Sequence, residues 1–253
     1  KNEIILNIIK YITSKIYNNC DLILVQSKKF IKPVRDLTFK EVKLFSNPSE
    51  FNSIKKKNFT YNSKNVKNIY YAGNIGSAQN LDNLVLFCKK TKLKNFKITI
   101  FGDGSKKKWL IKEISDYKLN DKIEVKNYLS KKIFKKEMYK ADSFLILLSP
   151  GKGLSRTIPA KFQTYLHFGK PIISWSDGEV SQITKKNHLG FSSRSRSISQ
   201  FSSCIDKIVK LKKNDYSRYY KNNTNFFNKY FSLEKCSENL LHILEDQVNE
   251  KNN

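Results

Sequence analysis

Ser149-Pro-Gly-Lys-Gly-Leu-Ser-Arg-Thr-Ile-Pro-Ala-Lys-Phe-Gln-Thr-Tyr-Leu-His-Phe-Gly-Lys-Pro-Ile-Ile-Ser-Trp175 is the stretch that decides the fold of this 253-residue chain. Just before it, Ser143-Phe-Leu-Ile-Leu-Leu148 is short and apolar, the mark of a strand buried on both faces. Pro171-Ile-Ile-Ser-Trp175 is a second such run. Between the two lie a glycine-rich loop with two cations, Lys152 and Arg156, and then a helical pattern starting near Pro159. Phe162, Tyr165 and Leu166 fall at helical spacing, and Gly169 supplies the stop. A strand, a glycine-rich turn and a helix N-terminus together make a ready anion site, because free backbone N–H groups and the helix dipole point at whatever sits there.

Outward from this stretch the same alternation repeats. Strand Ile69–Ala72, loop Gly73–Ala78 and helix Leu81–Lys90 form one unit. Strand Lys97–Phe101 leads through Gly102-Asp-Gly104 to helix Lys106–Tyr117. Strand Lys122–Val125 leads to helix Lys131–Lys140, with Ser130 as its N-cap residue. A helix over Gly178–Lys186 follows the Pro171–Trp175 strand, and Ser197–Leu211, Tyr216–Phe227 and Leu233–Val248 read as closing helices. Short βα units in steady alternation imply an α/β fold: a Rossmann-like parallel sheet with helices on both faces. Upstream, Ile4–Ile16 has the spacing of an amphipathic helix, and its polar interruptions and length argue against a membrane span. Asp21–Ser27 and Val42–Pro48 read as two further strands. Residues 48–67 are polar and without periodicity, as in a linker. The expected organisation is therefore residues 1–47, a linker over 48–67, a ligand-binding domain over 68–231 and a final helix over 232–253.

The formal net charge of +26 invites a nucleic-acid reading. Two features weigh against it. The cations are almost all lysine, with only five arginines (Arg35, Arg156, Arg194, Arg196 and Arg218), whereas base readers lean on arginine for bidentate and stacking contacts. The lysines are also scattered rather than gathered in one stripe. Solvated surface charge is the expectation, with attraction to an anionic membrane face as a secondary use. Cys20, Cys88, Cys204 and Cys236 stand far apart, without zinc-type spacing, and read as buried free thiols of a reducing compartment. His167, His188 and His242 have no partner at meaningful spacing and read as structural, and no metal motif is present.

Gly73-Asn-Ile-Gly76 follows a buried strand and precedes a helix, so backbone N–H groups there can approach a phosphate closely. Gly102-Asp-Gly104 lacks the third glycine of a dinucleotide fingerprint, with Lys at 107, and reads as a structural turn. Tyr128 can stack on a base or serve as core. Glu179 starts a helix with the favourable dipole sign, or contacts a sugar.

Ile158-Pro-Ala-Lys-Phe-Gln-Thr-Tyr-Leu166, followed by Gly169-Lys-Pro-Ile-Ile173 and Asp177-Gly-Glu179, resembles the donor-site segment of family 4 glycosyltransferases, in a bacterial branch that builds surface polysaccharide. Tyr70-Tyr-Ala-Gly-Asn-Ile-Gly-Ser-Ala-Gln79 resembles the first loop of the same domain, and the resemblance runs from about Asp21 to the C-terminus. It implies the C-terminal, donor-binding domain of the two-domain GT-B fold, with residues 1–47 a remnant of the N-terminal acceptor domain and 232–253 the helix that crosses back to it. It also implies a cytoplasmic retaining enzyme, at most peripheral at the inner membrane face. No metal or other cofactor is expected. The expected partners are a nucleotide-sugar donor (UDP before GDP) and a glycan or polyprenyl-linked acceptor, and nucleic acid is not among them.

The resemblance gives Arg156 and Lys161 the catalytic task of stabilising the departing diphosphate. Donor contacts fall to Gly73, Asn74, Ile75, Gly76, Asn127, Tyr128, Lys152, Gly153, Leu154, Ser155, Gln163, Thr164 and Glu179. There are departures from the pattern. Many relatives carry a basic pair where this chain has Asn74 and Gln79, and two glutamates where it has Arg156 and Thr164. Charge neutralisation then moves to Lys152, Arg156 or Lys161, and ribose binding to Thr164 with Gln163. A chain holding only the donor half is expected to bind donor and transfer little sugar. The rival expectations are a non-catalytic homologue of the same fold and, further off, a basic nucleic-acid-binding protein.

Overall fold

A computed structural model describes residues 2–54, 59, 61 and 65–252. The N-terminal part contains helix α1 (Asn2–Asn18), strand β1 (Ile23–Val25), helix α2 (Lys28–Arg35) and strand β2 (Val42–Leu44). β1 and β2 pair in parallel as a two-stranded sheet. Ile23, Val25, Val34 and Val42 make a small core of their own beneath it. Much of the expected linker lies outside the described residues.

The larger unit runs β3 (Lys67–Ala72), α3 (Leu81–Lys90), β4 (Phe96–Phe101), α4 (Lys107–Asp116), β5 (Ile123–Lys126), α5 (Lys131–Met138), β6 (Ser143–Leu147), α6 (Lys152–Arg156), α7 (Ala160–His167), β7 (Ile172–Trp175), α8 (Glu179–Lys186), β8 (Gly190–Ser193), α9 (Ile198–Lys210), α10 (Lys213–Tyr230) and α11 (Leu233–Asn252). Its strands form one parallel sheet in the order β5-β4-β3-β6-β7-β8. Two chains of strands thus grow outward in opposite directions from β3 and β6, the doubly wound arrangement expected from the alternation.

The strand period of two distributes side chains to two cores. Ile69, Tyr71, Leu145, Leu147, Ile173 and Trp175 face one side, where Leu84 and Val85 of α3, Leu110 of α4 and Ile205 of α9 cover them. Tyr70, Phe144, Ile146 and Ile172 face the other, beneath Met138, Phe162, Tyr165, Leu166, Val180 and Phe227. Trp175 stacks on Phe201 at 3.8 Å and donates its indole N–H to the Arg194 carbonyl at 2.9 Å, so its one polar atom is satisfied.

Three elements differ from expectation. β8 has almost no apolar run, because an edge strand has one neighbour and only half-buried faces. α2 falls in a stretch to which the sequence pattern assigns no element, and it carries Pro33 within its eight residues. The glycine-rich segment after β6 closes into the short helix α6 rather than an open loop. Ser130 is the residue before α5, but its hydroxyl makes no capping bond. All four cysteines are free, as expected, but Cys20 is only partly buried.

Candidate functional site

The site is created by a failure of strand pairing at the centre of the sheet. β3 pairs with β4 along its whole length, from Lys67 to Ala72. With β6 it pairs only at Ile69 and Tyr70, opposite Ser143 and Phe144. Beyond that point the two strands separate and leave a crevice at their carboxyl ends. The amide of Ala72, without a strand partner there, donates to the Tyr165 hydroxyl at 2.7 Å, and that hydroxyl donates back to the Ala72 carbonyl at 3.3 Å. Tyr165 also stacks on Phe144 at 4.3 Å, so α7 is pinned into the split. Open α/β sheets bind their ligands at such a reversal of strand order.

A cavity of about 210 Å³ opens here, lined by Ala72, Gly73, Phe101, Tyr128, Leu129, Phe134, Lys161, Thr164 and Tyr165, with Glu50 and Lys131 at its edge. Its walls are mainly aromatic and aliphatic. Tyr128 is 73% exposed, which removes the core reading and leaves a free ring face at the cavity mouth. Thr164 and Lys161 supply the polar groups from successive turns on one face of α7.

Lys161 is the electrostatic centre. Its Nζ donates to the Tyr71 hydroxyl and stands 3.7 Å from the centroid of that ring. The same hydroxyl donates to the Asn74 carbonyl at 2.7 Å, so its proton is committed and its lone pair faces the ammonium. No carboxylate pairs with Lys161 among the described residues. Burial without an anion pushes its pKa down from 10.5 to about 7. Gly73 is the reason this approach is possible. It adopts φ of +140°, and a Cβ there would sit 2.9 Å from the Lys161 Nζ. Gly102 backs the loop from the next strand, where a Cβ would fall 2.0 Å from the Gly73 carbonyl oxygen. The Gly102-Asp-Gly104 turn is thus a buttress.

The loop over Gly73–Gly76 has fewer free amides than the sequence suggests. The Gly73 N–H donates to Phe101 (2.9 Å), the Ile75 N–H to Asp103 (2.7 Å), and the Gly76 N–H to the Gln79 side chain (2.9 Å). Ile75 itself is fully buried core. The Asn74 side chain is exposed, but it turns toward Gln79, to which its Nδ2 donates at 3.4 Å, and it does not line the cavity.

The remaining candidates from the sequence are scattered. Lys152 and Gly153 are exposed on α6 and Leu154 and Ser155 are partly buried there, none of them lining the cavity. Arg156 ends α6, and its carbonyl accepts the Ser27 hydroxyl across 129 residues of chain. Its guanidinium does not line the cavity beside Lys161. Gln163 is 2% exposed and points away from it, its Oε1 without a hydrogen-bond partner. Asn127 accepts from Lys107 at 3.0 Å on the outer surface. Glu179 lines a different cavity. Asp177 is occupied with the Ser195 amide (3.1 Å) and hydroxyl. His167, stacked on Phe51 at 4.3 Å, is pushed down to about 4 by burial, as suits a structural ring.

Sequence reasoning misses Phe101, Leu129, Lys131, Phe134 and Glu50 as site residues. The first four flank chosen residues on strand ends and on α5, and the turn after β5 could have pointed to them. Glu50 arrives from the linker and carries no local signal.

The family model described as Glycosyl transferases group 1 matches residues 52–226, more than half of the chain. Among solved structures, S. aureus TarM, crystallised with fondaparinux, alpha-GlcNAc-glycerol and UDP, superposes with a TM-score of 0.71 at 16% identity over 89% of this chain and 44% of TarM. Anabaena HepE, in complex with UDP and glucose, gives 0.73 at 10% identity over 92% of this chain and 66% of HepE. A glycosyltransferase from Rickettsia africae gives 0.73 at 15% identity, over 93% and 66%. At these identities the likeness is one of fold. The chain spans between 44% and 66% of the length of these proteins. Comparison with curated proteins gives no match.

Proposed function

The chain belongs to group 1 of the glycosyl transferases, and from that membership we propose that it holds the donor side of a sugar transfer from a UDP-sugar to a cell-surface glycan or lipid-linked acceptor. The uridine stacks on Tyr128, Thr164 bonds the ribose, and the diphosphate meets Lys161 above Gly73. The bond between the anomeric carbon and the diphosphate oxygen breaks, and its electron pair leaves with the diphosphate. The acceptor hydroxyl oxygen forms the new bond and its proton passes to the departing diphosphate oxygen, with retention at the anomeric carbon carried over from the sequence resemblance. Lys161 is the group placed to stabilise the negative charge that develops, a favourable task in a partly desolvated site. No metal ion is assigned to that task. Arg156 is displaced from the role, since its side chain does not reach the cavity.

One observation supports this reading above the rest: a lysine without an acidic partner among the described residues, its pKa lowered by burial, resting on a glycine loop at the strand-order reversal. The donor diphosphate is the anion that this lysine is proposed to meet. The chain works at the cytoplasmic side of an envelope-building reaction, with its lysines favouring an anionic membrane face. No helix among the described residues is long and apolar enough to cross that membrane. Alone, these 253 residues bind donor and transfer little sugar.

Thermal stabilisation by UDP, GDP, ADP and NAD at matched concentrations tests the reading. UDP is expected to raise the melting temperature and the others to leave it near its starting value. A flat response to all four would favour a non-catalytic homologue, the second reading, which the Arg156 and Thr164 departures support.

A further inference from the structure

A second cavity, larger than the first at about 780 Å³, lies on the other side of the α7 N-terminus. Residues of the β1–β2 unit (Ser27, Lys28 and Leu44) form one wall, and Ile158, α8 and the α10–α11 corner at Phe231 form the rest. At its floor stands Glu179, 8% exposed and with no hydrogen bond or ion pair to its carboxylate among the described residues. Its position is enforced. Gly178 adopts φ of +89° with its Cα against α6, where a Cβ would lie 1.9 Å from the Ser155 carbonyl oxygen. A carboxylate at the first position of α8 gains from the helix dipole, and with no donor to it among the described residues its oxygens are left to bond what enters the cavity. The rim carries the opposite charge. Lys28, Lys185 and Lys186 are exposed, and none makes an ion pair among the described residues.

We propose that this cavity seats the acceptor: a hydroxyl-rich ring whose hydroxyl groups donate to Glu179 and whose phosphate lies among the rim lysines. The order of charges dictates the orientation. A phosphate at the floor would meet the carboxylate, while a hydroxyl there supplies the missing donor. The apolar parts of the ring rest on Ile158 and Phe231. Ile158 is three residues before Lys161, so the two cavities share the turn that opens α7, and an acceptor hydroxyl approaches the donor sugar past that turn. This rests on the donor reading above, and it assigns to the described residues a part of acceptor recognition that the resemblance gives to the N-terminal domain.

Hydrogen–deuterium exchange of the 253-residue chain with α-D-glucose 1-phosphate as probe, in saturating UDP so that the donor cavity is filled, tests the proposal. Protection is expected in α8 and around residues 26–28. Glu179→Gln should weaken the probe about tenfold, Lys186→Ala about threefold, and neither should change UDP affinity. Glucose and inorganic phosphate alone should each bind more weakly than the sugar phosphate. Protection confined to residues 72–76 and 128–134, equal binding of inorganic phosphate alone, or an unchanged Glu179→Gln variant would each overturn it. UDP protection of residues 72–76 without probe protection of α8 sinks this proposal and leaves the donor reading standing. Loss of UDP protection itself sinks the donor reading, while α8 protection still reports whether the second cavity takes a sugar phosphate.

Discussion

The two cavities beside α7 are built on opposite plans. The one at the β3–β6 split is small and aromatic, and its unpaired charge is a lysine. The one against the β1–β2 unit is several times larger, and its unpaired buried charge is a glutamate. Each holds a charge that no group among the described residues satisfies, and the opposite signs are what the proposed transfer calls for: a cation for the departing diphosphate, a hydrogen-bond acceptor for the incoming hydroxyl. The turn that opens α7, from Ile158 to Lys161, lies between them, and the contrast can be broken first at Gly178, which sets the position of Glu179.

Gly178→Val should have the largest effect. Both the positive φ and the 1.9 Å approach to Ser155 forbid a side chain, so a loss of about 3 kcal/mol or more is expected, read as a lower midpoint in urea unfolding. Lys161→Ala comes next. Removing one partner of a charge-assisted contact typically costs 2–5 kcal/mol, so UDP affinity should fall at least about 30-fold in calorimetry while sugar-phosphate binding in the second cavity holds.

The pH dependence sharpens the same point. Below pH 7 Lys161 is charged in both the folded and unfolded chain, and the fold bears the cost of burying it. Above about 7 the folded chain sheds that proton first, so its contribution to stability becomes less unfavourable as pH rises toward 10.5. Lys161→Met should therefore stabilise the unliganded chain most at pH 6, by thermal melting. UDP binding runs the other way: strongest below pH 7, and weaker above it by up to about tenfold per pH unit, because the lysine must regain a proton to meet the diphosphate. Tyr128→Ala has the smallest effect. Loss of base stacking is worth roughly 1–3 kcal/mol, so UDP should weaken about tenfold, with no change in stability for a ring 73% exposed.

How much of this is legible in the sequence depends on the range of the interaction. The sheet follows from local periodicity, because each buried strand writes its own apolar run. Gly73, Lys161, Thr164 and Tyr128 can be chosen because they sit on strand ends and the first turns of helices. Arg156 and Gln163 come from the same segment and share its local signal. Their placement depends on α6 forming and on which face of α7 turns inward, and neither follows from composition alone. The loop amides of Gly73 and Ile75 read as free in the sequence, yet β4 and its turn bond them. That is a contact between strands, invisible in a single stretch. Glu179 reads as a donor contact from its place at a helix start, while the second cavity depends on Ser27 meeting Arg156 across 129 residues. Glu50 reaches the first cavity from the linker in the same long-range way.

Isothermal titration of UDP into the wild-type chain and the Lys161→Ala variant, each at pH 6 and pH 8.5, tests the central claim most directly. The wild type should bind at pH 6, lose affinity by about 30-fold at pH 8.5, and take up a proton on binding there. Lys161→Ala should bind weakly at both pH values and show no such uptake. Equal UDP affinity in the variant, or a wild-type affinity that does not change across that interval, would contradict the assignment of Lys161 as the cation that awaits the diphosphate.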